Sequence, residues 1–311
     1  MPELPEVEVV RAGLAPAVTG ARIVAVDARD PRALTRHAGT PADFETRLTG
    51  RRIRATARRG KFLWLPLESE RPGIPASLGG APSSPEAIMV HLGMSGQMLL
   101  RTPDAPAERH ERVRFAIEHP EHGELAVVFA DQRTFGSLAI DPLVDTPDAA
   151  PGGSGDDAPL VPAQAAHIAR DPLDPAFDDT RFRSRMSATA SAVKRVLLDQ
   201  TVVSGIGNIY ADEALWAARV HPETPGRALS RRRVDRLLAE VRSVLVKALA
   251  EGGTSFDAQY VNVNGQAGYF AHSLSAYGRH GQPCPRCGRV LVRVAFANRS
   301  SHFCPRCQRV G

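Results

Sequence analysis

Over residues 3–18 the apolar positions Val7, Val10 and Leu14 recur at helical spacing, Glu3, Glu6 and Glu8 stand early, and Gly20 follows as a stop. A short amphipathic helix is predicted there. From Ala21 to Asp131 the period shortens to two: Ile53, Ala55 and Ala57 alternate with Arg and Thr, and Val113, Phe115 and Ile117 alternate with polar neighbours such as Arg114 and Glu118. This predicts an antiparallel β-sandwich or barrel. A Pro/Gly/Ser-rich stretch between Leu67 and Pro85 reads as an exposed inter-strand loop. A second one, 145–162, contains Pro-Gly-Gly-Ser-Gly-Asp-Asp and has the composition of a flexible linker. Beyond it the helical period returns, most clearly in Val234, Leu237, Leu238, Val241, Val244, Leu245, Ala248 and Leu249, ended by Gly252 and Gly253. The pattern as a whole predicts an α+β multidomain chain: a β-sandwich domain over 1–144, a linker over 145–162, and a helical domain over 163–253.

Length adds that 311 residues suffice for two or three domains, each with its own core. Arg and Pro interrupt every apolar run before it reaches the roughly twenty residues of a membrane span, so a soluble, cytoplasmic protein is expected. A net charge of +5 suits a polyanionic partner without specifying one. The basic residues say more, because 36 of the 39 are Arg and only Lys61, Lys194 and Lys247 are Lys. Where a Lys persists against that bias, a compact, deprotonatable ammonium is a reason for it, and Lys61 is the candidate.

All four cysteines fall in one pattern, Cys284-x2-Cys287-x16-Cys304-x2-Cys307. Each Cys-x2-Cys turn presents two sulfurs to one ion and the intervening segment has room for a hairpin, which points to a single structural Zn²⁺ with no open position for catalysis. Arg289, Arg293, Arg299, Arg306 and Arg309 make that hairpin cationic, as a phosphate-binding surface or simply a solvated face. Ser204-Gly205-Ile206-Gly207-Asn208 lies between two apolar helical segments and could aim backbone amides and the Asn208 side chain at a phosphate, or be an ordinary interhelical turn. At the N-terminus, removal of Met1 would leave Pro2 as a secondary amine, with α-amino basicity of about 7.7 to 8.0, able to form a cationic iminium with an aldehyde-level carbon. Glu3 beside it could donate a proton; the plainer alternative is a helix opening on Pro and Glu.

Taken together, these segments resemble the formamidopyrimidine-DNA glycosylase branch of the family that also contains endonuclease VIII. The resemblance runs through Pro2-Glu3-Leu4-Pro5-Glu6-Val7-Glu8, Arg58-Arg59-Gly60-Lys61, His91-Leu92-Gly93-Met94-Ser95-Gly96, Arg133-Thr134-Phe135-Gly136, Asp199 to Ala211, Gly268-Tyr269-Phe270 and the four-cysteine finger. It implies a helix-two-turns-helix domain, a lesion-recognition loop over 254–271 and a zinc finger over 272–311. It further implies a monomeric enzyme acting on oxidised bases or abasic sites in duplex DNA. In that scheme Pro2 attacks the sugar while Glu3 protonates its ring oxygen, Lys61 holds the adjacent phosphate, and Arg299 assists the second elimination. Met94, Arg133 and Phe135 would fill the gap left by the everted nucleotide, and His110, Asn208 and Tyr269 would also meet DNA. Two departures stand out: Thr134, where the family often has Arg, and the absence of a basic residue at 187–192, with Lys194 and Arg185 as the nearby basic residues able to compensate. An endonuclease VIII-like pyrimidine glycosylase, a non-catalytic binder of damaged DNA and a zinc-ribbon interaction module remain the alternatives.

Overall fold

The computed structural model describes residues 2–68, 84–254, 263 and 269–310. They fall into two compact units, the first comprising residues 1–2, 6–167 and 255–267 and the second 3–5, 168–254 and 268–311. The Pro/Gly/Ser-rich stretch expected as an inter-strand loop lies almost wholly outside the described residues.

The first unit holds most of helix α1 (Leu4–Val18), strand β1 (Arg22–Ala28), helix α2 (Pro41–Leu48) and strands β2 (Ala57–Arg59), β3 (Phe62–Pro66), β4 (Glu86–His91), β5 (Gly96–Arg101), β6 (Glu111–His119), β7 (Gly123–Asp131), β8 (Ser137–Asp145) and β9 (Leu160–Pro162). The strands form two antiparallel sheets ordered β1-β6-β7-β5 and β2-β3-β4-β8-β9. Alternation does what the sequence predicts: along β6, Val113, Phe115 and Ile117 are buried while Ala116 and Glu118 face out. Those residues pack with Phe129, Leu63, Val90 and Ile140, from both sheets, and with Val7, Val10 and Leu14 of α1. Helix α2 interrupts the predicted run of strands. Its start is written locally, since Pro41 fixes the first turn and the Thr40 hydroxyl accepts from the Asp43 amide at 3.1 Å, but its apolar face is only Phe44 and Leu48. So short a face is hidden within a period-two background.

Residues 145–162 are not a linker. Strand β9 pairs with β8 in the register Asp145↔Leu160, Val144↔Val161 and Leu143↔Pro162. Between them the backbone folds on itself, with Gly152 N donating to Ala158 O at 2.8 Å. The glycines that suggested flexibility permit close approach instead: a Cβ on Gly152 would lie 1.7 Å from Leu160 O. The division between units falls after His167, not within this segment.

The second unit contains α3 (Asp179–Ala188), α4 (Val193–Leu198), α5 (Asn208–Ala218), α6 (Arg231–Ala250) and the hairpin of β10 (Val292–Phe296) and β11 (Arg299–Phe303). Asp178 and Ser230 cap α3 and α6, and α6 buries Val234, Leu237, Leu238, Val241, Leu245 and Ala248 on one face. Gly252 and Gly253, at φ of 74° and 79°, take the chain out of α6 as predicted. No helix among the described residues is long and apolar enough to cross a membrane.

Phe44 is fully buried and meets the rings of His37 and Phe115 edge-on. Phe44→Ala should therefore lower unfolding free energy by about 3–5 kcal/mol in a urea titration, a loss typical of emptied aromatic core sites.

Candidate active site

In the first unit, Pro2 is buried and lines a small pocket with Val7, Lys61, His91, Leu92 and Gly93. Lys61 reaches it from the β2–β3 turn, where Gly60 takes φ of 57°. His91, at the end of β4, was part of a recognised segment but had no assigned role. Burial, together with the positive charges of Arg36 and Lys61, pushes its imidazole down to about 4. Its Nδ1 accepts from the Gly93 amide at 3.2 Å, so the neutral ring carries its proton on Nε2.

Three other predicted residues stand at neighbouring strand ends of the same unit. The Asp131 carboxylate accepts from Ser95 Oγ (2.6 Å), the Arg133 amide (3.1 Å) and the Gly136 amide (2.7 Å). It thereby ties the turn carrying Met94 to the one carrying Arg133 and Phe135. Gly93 is held so close to the second turn that a Cβ would meet the Phe135 carbonyl carbon at 2.4 Å. The Arg133 guanidinium lies over the Phe135 ring, 5.1 Å from its centroid, and both side chains are exposed. His110 joins this end through its carbonyl, which accepts from the Asp131 amide at 3.0 Å. Thr134 adopts φ of 52°, the left-handed region that β-branched residues rarely enter. Asp131 escaped the sequence reading because an Asp closing a strand carries no motif of its own.

In the second unit, Glu3 is 3% exposed, and its carboxylate sits at the start of α5. It accepts from the amides of Gly207 at 2.5 Å and Ile209 at 3.0 Å. The amides expected to hold a phosphate thus hold the protein's own carboxylate, with the favourable helix-end dipole. The two glycines make room for the N-terminal segment: a Cβ on Gly207 would lie 2.3 Å from Glu3 Cδ, and one on Gly205 2.7 Å from Leu4 Cδ1. Leu4 N also donates to Gly205 O at 2.9 Å.

Asn208 and Arg299 come together around Ser300, whose carbonyl accepts from Asn208 Nδ2 at 3.1 Å, and the Arg299 side chain is exposed. Lys194 corrects the expectation of a DNA contact. It is fully buried, pairs with Asp212 at 2.6 Å and donates to Ser300 O and Ser301 Oγ, each at 2.8 Å, so its ammonium offers nothing to a phosphate outside. Of the two residues considered as substitutes for the missing base at 187–192, only Arg185 is exposed. Glu213, which the sequence reading missed, accepts from the amides of Ser275, Ala276 and Tyr277 at 2.8–2.9 Å, and burial pushes its carboxyl up. Tyr269 is 74% exposed and pairs with Thr254 across the ends of the predicted lesion-recognition loop, which, Val263 apart, lies outside the described residues from 255 to 268.

The sulfurs of Cys284, Cys287, Cys304 and Cys307 lie within 4.8 Å of one another, and those of Cys287 and Cys304 are 3.5 Å apart. Tetrahedral zinc, with Zn–S near 2.3 Å, calls for sulfurs about 3.8 Å apart, so the cluster fits a structural zinc site. Trp216 Nε1 donates to Cys284 Sγ at 3.4 Å, the kind of outer contact that fixes a ligand's direction.

Residues 1–138 match the formamidopyrimidine-DNA glycosylase N-terminal domain, 168–259 the H2TH domain, and 281–310 a zinc finger found in FPG and IleRS. A proline pocket on a β-sandwich unit, a helical H2TH unit and a four-cysteine finger are together the parts of a glycosylase for damaged DNA bases. The formamidopyrimidine-DNA glycosylase of Leifsonia xyli subsp. xyli (strain CTCB07) is 62% identical over 310 residues, covering 100% of both chains. Wild-type Lactococcus lactis Fpg (MutM) bound to N7-benzyl-Fapy-dG DNA superposes with a TM-score of 0.79 at 29% identity, covering 99% of this chain and 100% of that one. The same protein bound to DNA containing an oxidised pyrimidine gives 0.77 at 28%, with the same coverage. The chain belongs to the formamidopyrimidine-DNA glycosylase family.

Two measurements check this geometry. His91 has its pKa lowered on folding, so its contribution to stability is complete above about pH 6.5 and disappears as the pH falls to about 4. His91→Gln should flatten the pH dependence of urea unfolding across that window, and a ring titration near 6.5 in the native protein would contradict the buried placement. Chelation of zinc should remove one ion per chain, unfold the 284–307 hairpin and shift Trp216 fluorescence, since site binding energy of about 10–16 kcal/mol is folding energy for such modules.

Proposed function

We propose that the protein releases oxidised purines, 8-oxoguanine and formamidopyrimidines, from duplex DNA and then cleaves the abasic site by successive β- and δ-elimination. The observation that carries this reading is the burial of Pro2 in a pocket shared with Lys61 and a neutral His91. With Met1 removed, the Pro2 nitrogen attacks C1′ while the base departs with its bonding electrons and the amine's proton. The C1′–O4′ bond then breaks, its electrons passing to O4′, which takes up a proton, as the nitrogen lone pair forms the C=N bond. The resulting iminium acidifies C2′, and loss of that proton expels the 3′ phosphate. Lys61 neutralises the adjacent phosphate, and Glu3, held in a fixed direction by its amide partners, serves proton transfer at the sugar oxygen. Arg299, exposed on the hairpin, assists departure of the 5′ phosphate. Met94, Arg133 and Phe135, carried on turns joined by Asp131, are suited to fill the space vacated by an everted nucleotide. Zinc, when bound, holds the hairpin and supplies no chemistry of its own. A monomer in the cytoplasm is sufficient for this work.

Because the L. lactis protein has been crystallised with both a Fapy-dG derivative and an oxidised pyrimidine, lesion preference has to be read from rates. Borohydride trapping on a duplex with 8-oxoguanine opposite cytosine should yield a covalent protein–DNA adduct. The adduct should be absent for Pro2→Gly with a blocked N-terminus. Failure to trap with Met1 removal verified by mass spectrometry sinks the enzymatic reading; faster release of oxidised thymine than of 8-oxoguanine sinks the purine preference.

A further inference from the structure

We propose that residues 152–156 form a positioning clamp on strand β2 and its turn, fixing where Lys61 stands beside Pro2. The inference rests on the reading of Pro2 and Lys61 just given. It starts from a weakness in the sheet. Strand β2 is three residues long, lies at the end of the sheet order and pairs within the sheet only with β3. So short an edge strand sets the turn that follows it poorly. Lys61 is the second residue of that turn, so any play in β2 passes directly to its ammonium.

The folded segment 145–162 supplies the missing constraint. Arg58 N donates to Ser154 O at 3.0 Å and Ser154 N to Arg58 O at 2.9 Å, a backbone bridge on the side of β2 away from β3. Arg59 Nε donates to Gly152 O at 2.7 Å, and the Arg54 guanidinium grips both oxygens of Asp156 at 2.8 and 2.6 Å. Arg58 carries the constraint to the turn. Its guanidinium, with the residue only 2% exposed, pairs with Glu8 at 2.7 Å, touches Ser154 Oγ at 3.3 Å and donates to Gly60 O at 3.2 Å. Gly60 immediately precedes Lys61.

Glycine is required for the clamp to come this close. A Cβ on Gly153 would lie 2.3 Å from Arg58 O and 2.7 Å from Trp64 Cη2, and one on Gly155, at φ of 96°, 2.2 Å from Thr56 O. The two consecutive buried arginines of Arg58-Arg59-Gly60-Lys61 thereby acquire a role: they are the handles by which 152–156 holds the turn. None of these residues touches substrate; they act through Lys61.

The test is epistasis with Lys61. In single-turnover cleavage of an abasic-site duplex, Gly153→Ala should slow the native enzyme about tenfold, a partial share of the roughly hundredfold that a displacement of about 1 Å can cost. In a Lys61→Ala background the same substitution should change the rate less than about twofold, because the residue it acts through is gone. Equal losses in both backgrounds, or no loss in the native one, overturn the clamp. Asp156→Ala removes only a side-chain grip and serves if Gly153→Ala does not fold; a loss of about threefold confined to enzyme bearing Lys61 is expected, and a loss in both backgrounds or in neither overturns the proposal. If the unsubstituted protein traps no adduct, the reading of Pro2 fails, and amine-reactive labelling then decides the clamp alone. The rate at Lys61 should rise about fivefold in the folded variant while exposed Lys247 is unchanged; an unaltered Lys61 rate overturns the proposal.

Discussion

A carboxylate taken out of water must be met by donors, and in the helical unit Glu3 is met by the first amides of α5. Much else in that unit refers to the same helix. Asp212, one turn on, receives Lys194 and the amide and ring of His302; Glu213 receives three amides of 275–277; Trp216 reaches Cys284. One eleven-residue helix therefore fixes the N-terminal segment, the stretch entering the finger and the finger itself. Its own sequence, Asn-Ile-Tyr-Ala-Asp-Glu-Ala-Leu-Trp, alternates groups that fill the core with groups that bind other parts of the chain.

The interior charges divide by shape. Lys194 places three rotatable donors on two oxygens of the hairpin and on a carboxylate, a radial arrangement that a planar guanidinium would fill poorly. Arg58 and Arg59 do the reverse, spreading flat forks between strand, turn and the neighbouring segment. In a chain that prefers Arg, two of its three lysines thus stand where a compact ammonium is wanted, Lys61 in the proline pocket and Lys194 in the helical unit. Lys247, paired loosely with Glu251 on the surface of α6, shows that the preference is not absolute.

Periodicity made the sandwich and α6 legible because each repeats its signal over many residues, and the cysteine spacing made the metal site legible because few other arrangements place four thiols so. Composition misled at 145–162, where glycine means close packing and not slack, and nothing local separates those uses. Lys194 misled for a related reason: a cation just beyond the segment 187–192 looks available until the hairpin more than a hundred residues later is seen to cover it. Pro2, Lys61 and His91 are separated by dozens of residues, and only pairing of β3 with both β2 and β4 brings Lys61 and His91 to one pocket.

The cover over Lys194 and Asp212 also orders events during synthesis. Ser300, Ser301 and His302 stand more than eighty residues beyond both Lys194 and Asp212, so a ribosome makes all of the intervening chain before the buried pair can be closed. Until then a lysine and an aspartate destined for the interior stay hydrated, and the helical unit waits on the hairpin. Synthesis of the hairpin and completion of the interior are coupled, so a polypeptide ended before the hairpin is left with an open core that cellular proteolysis can recognise.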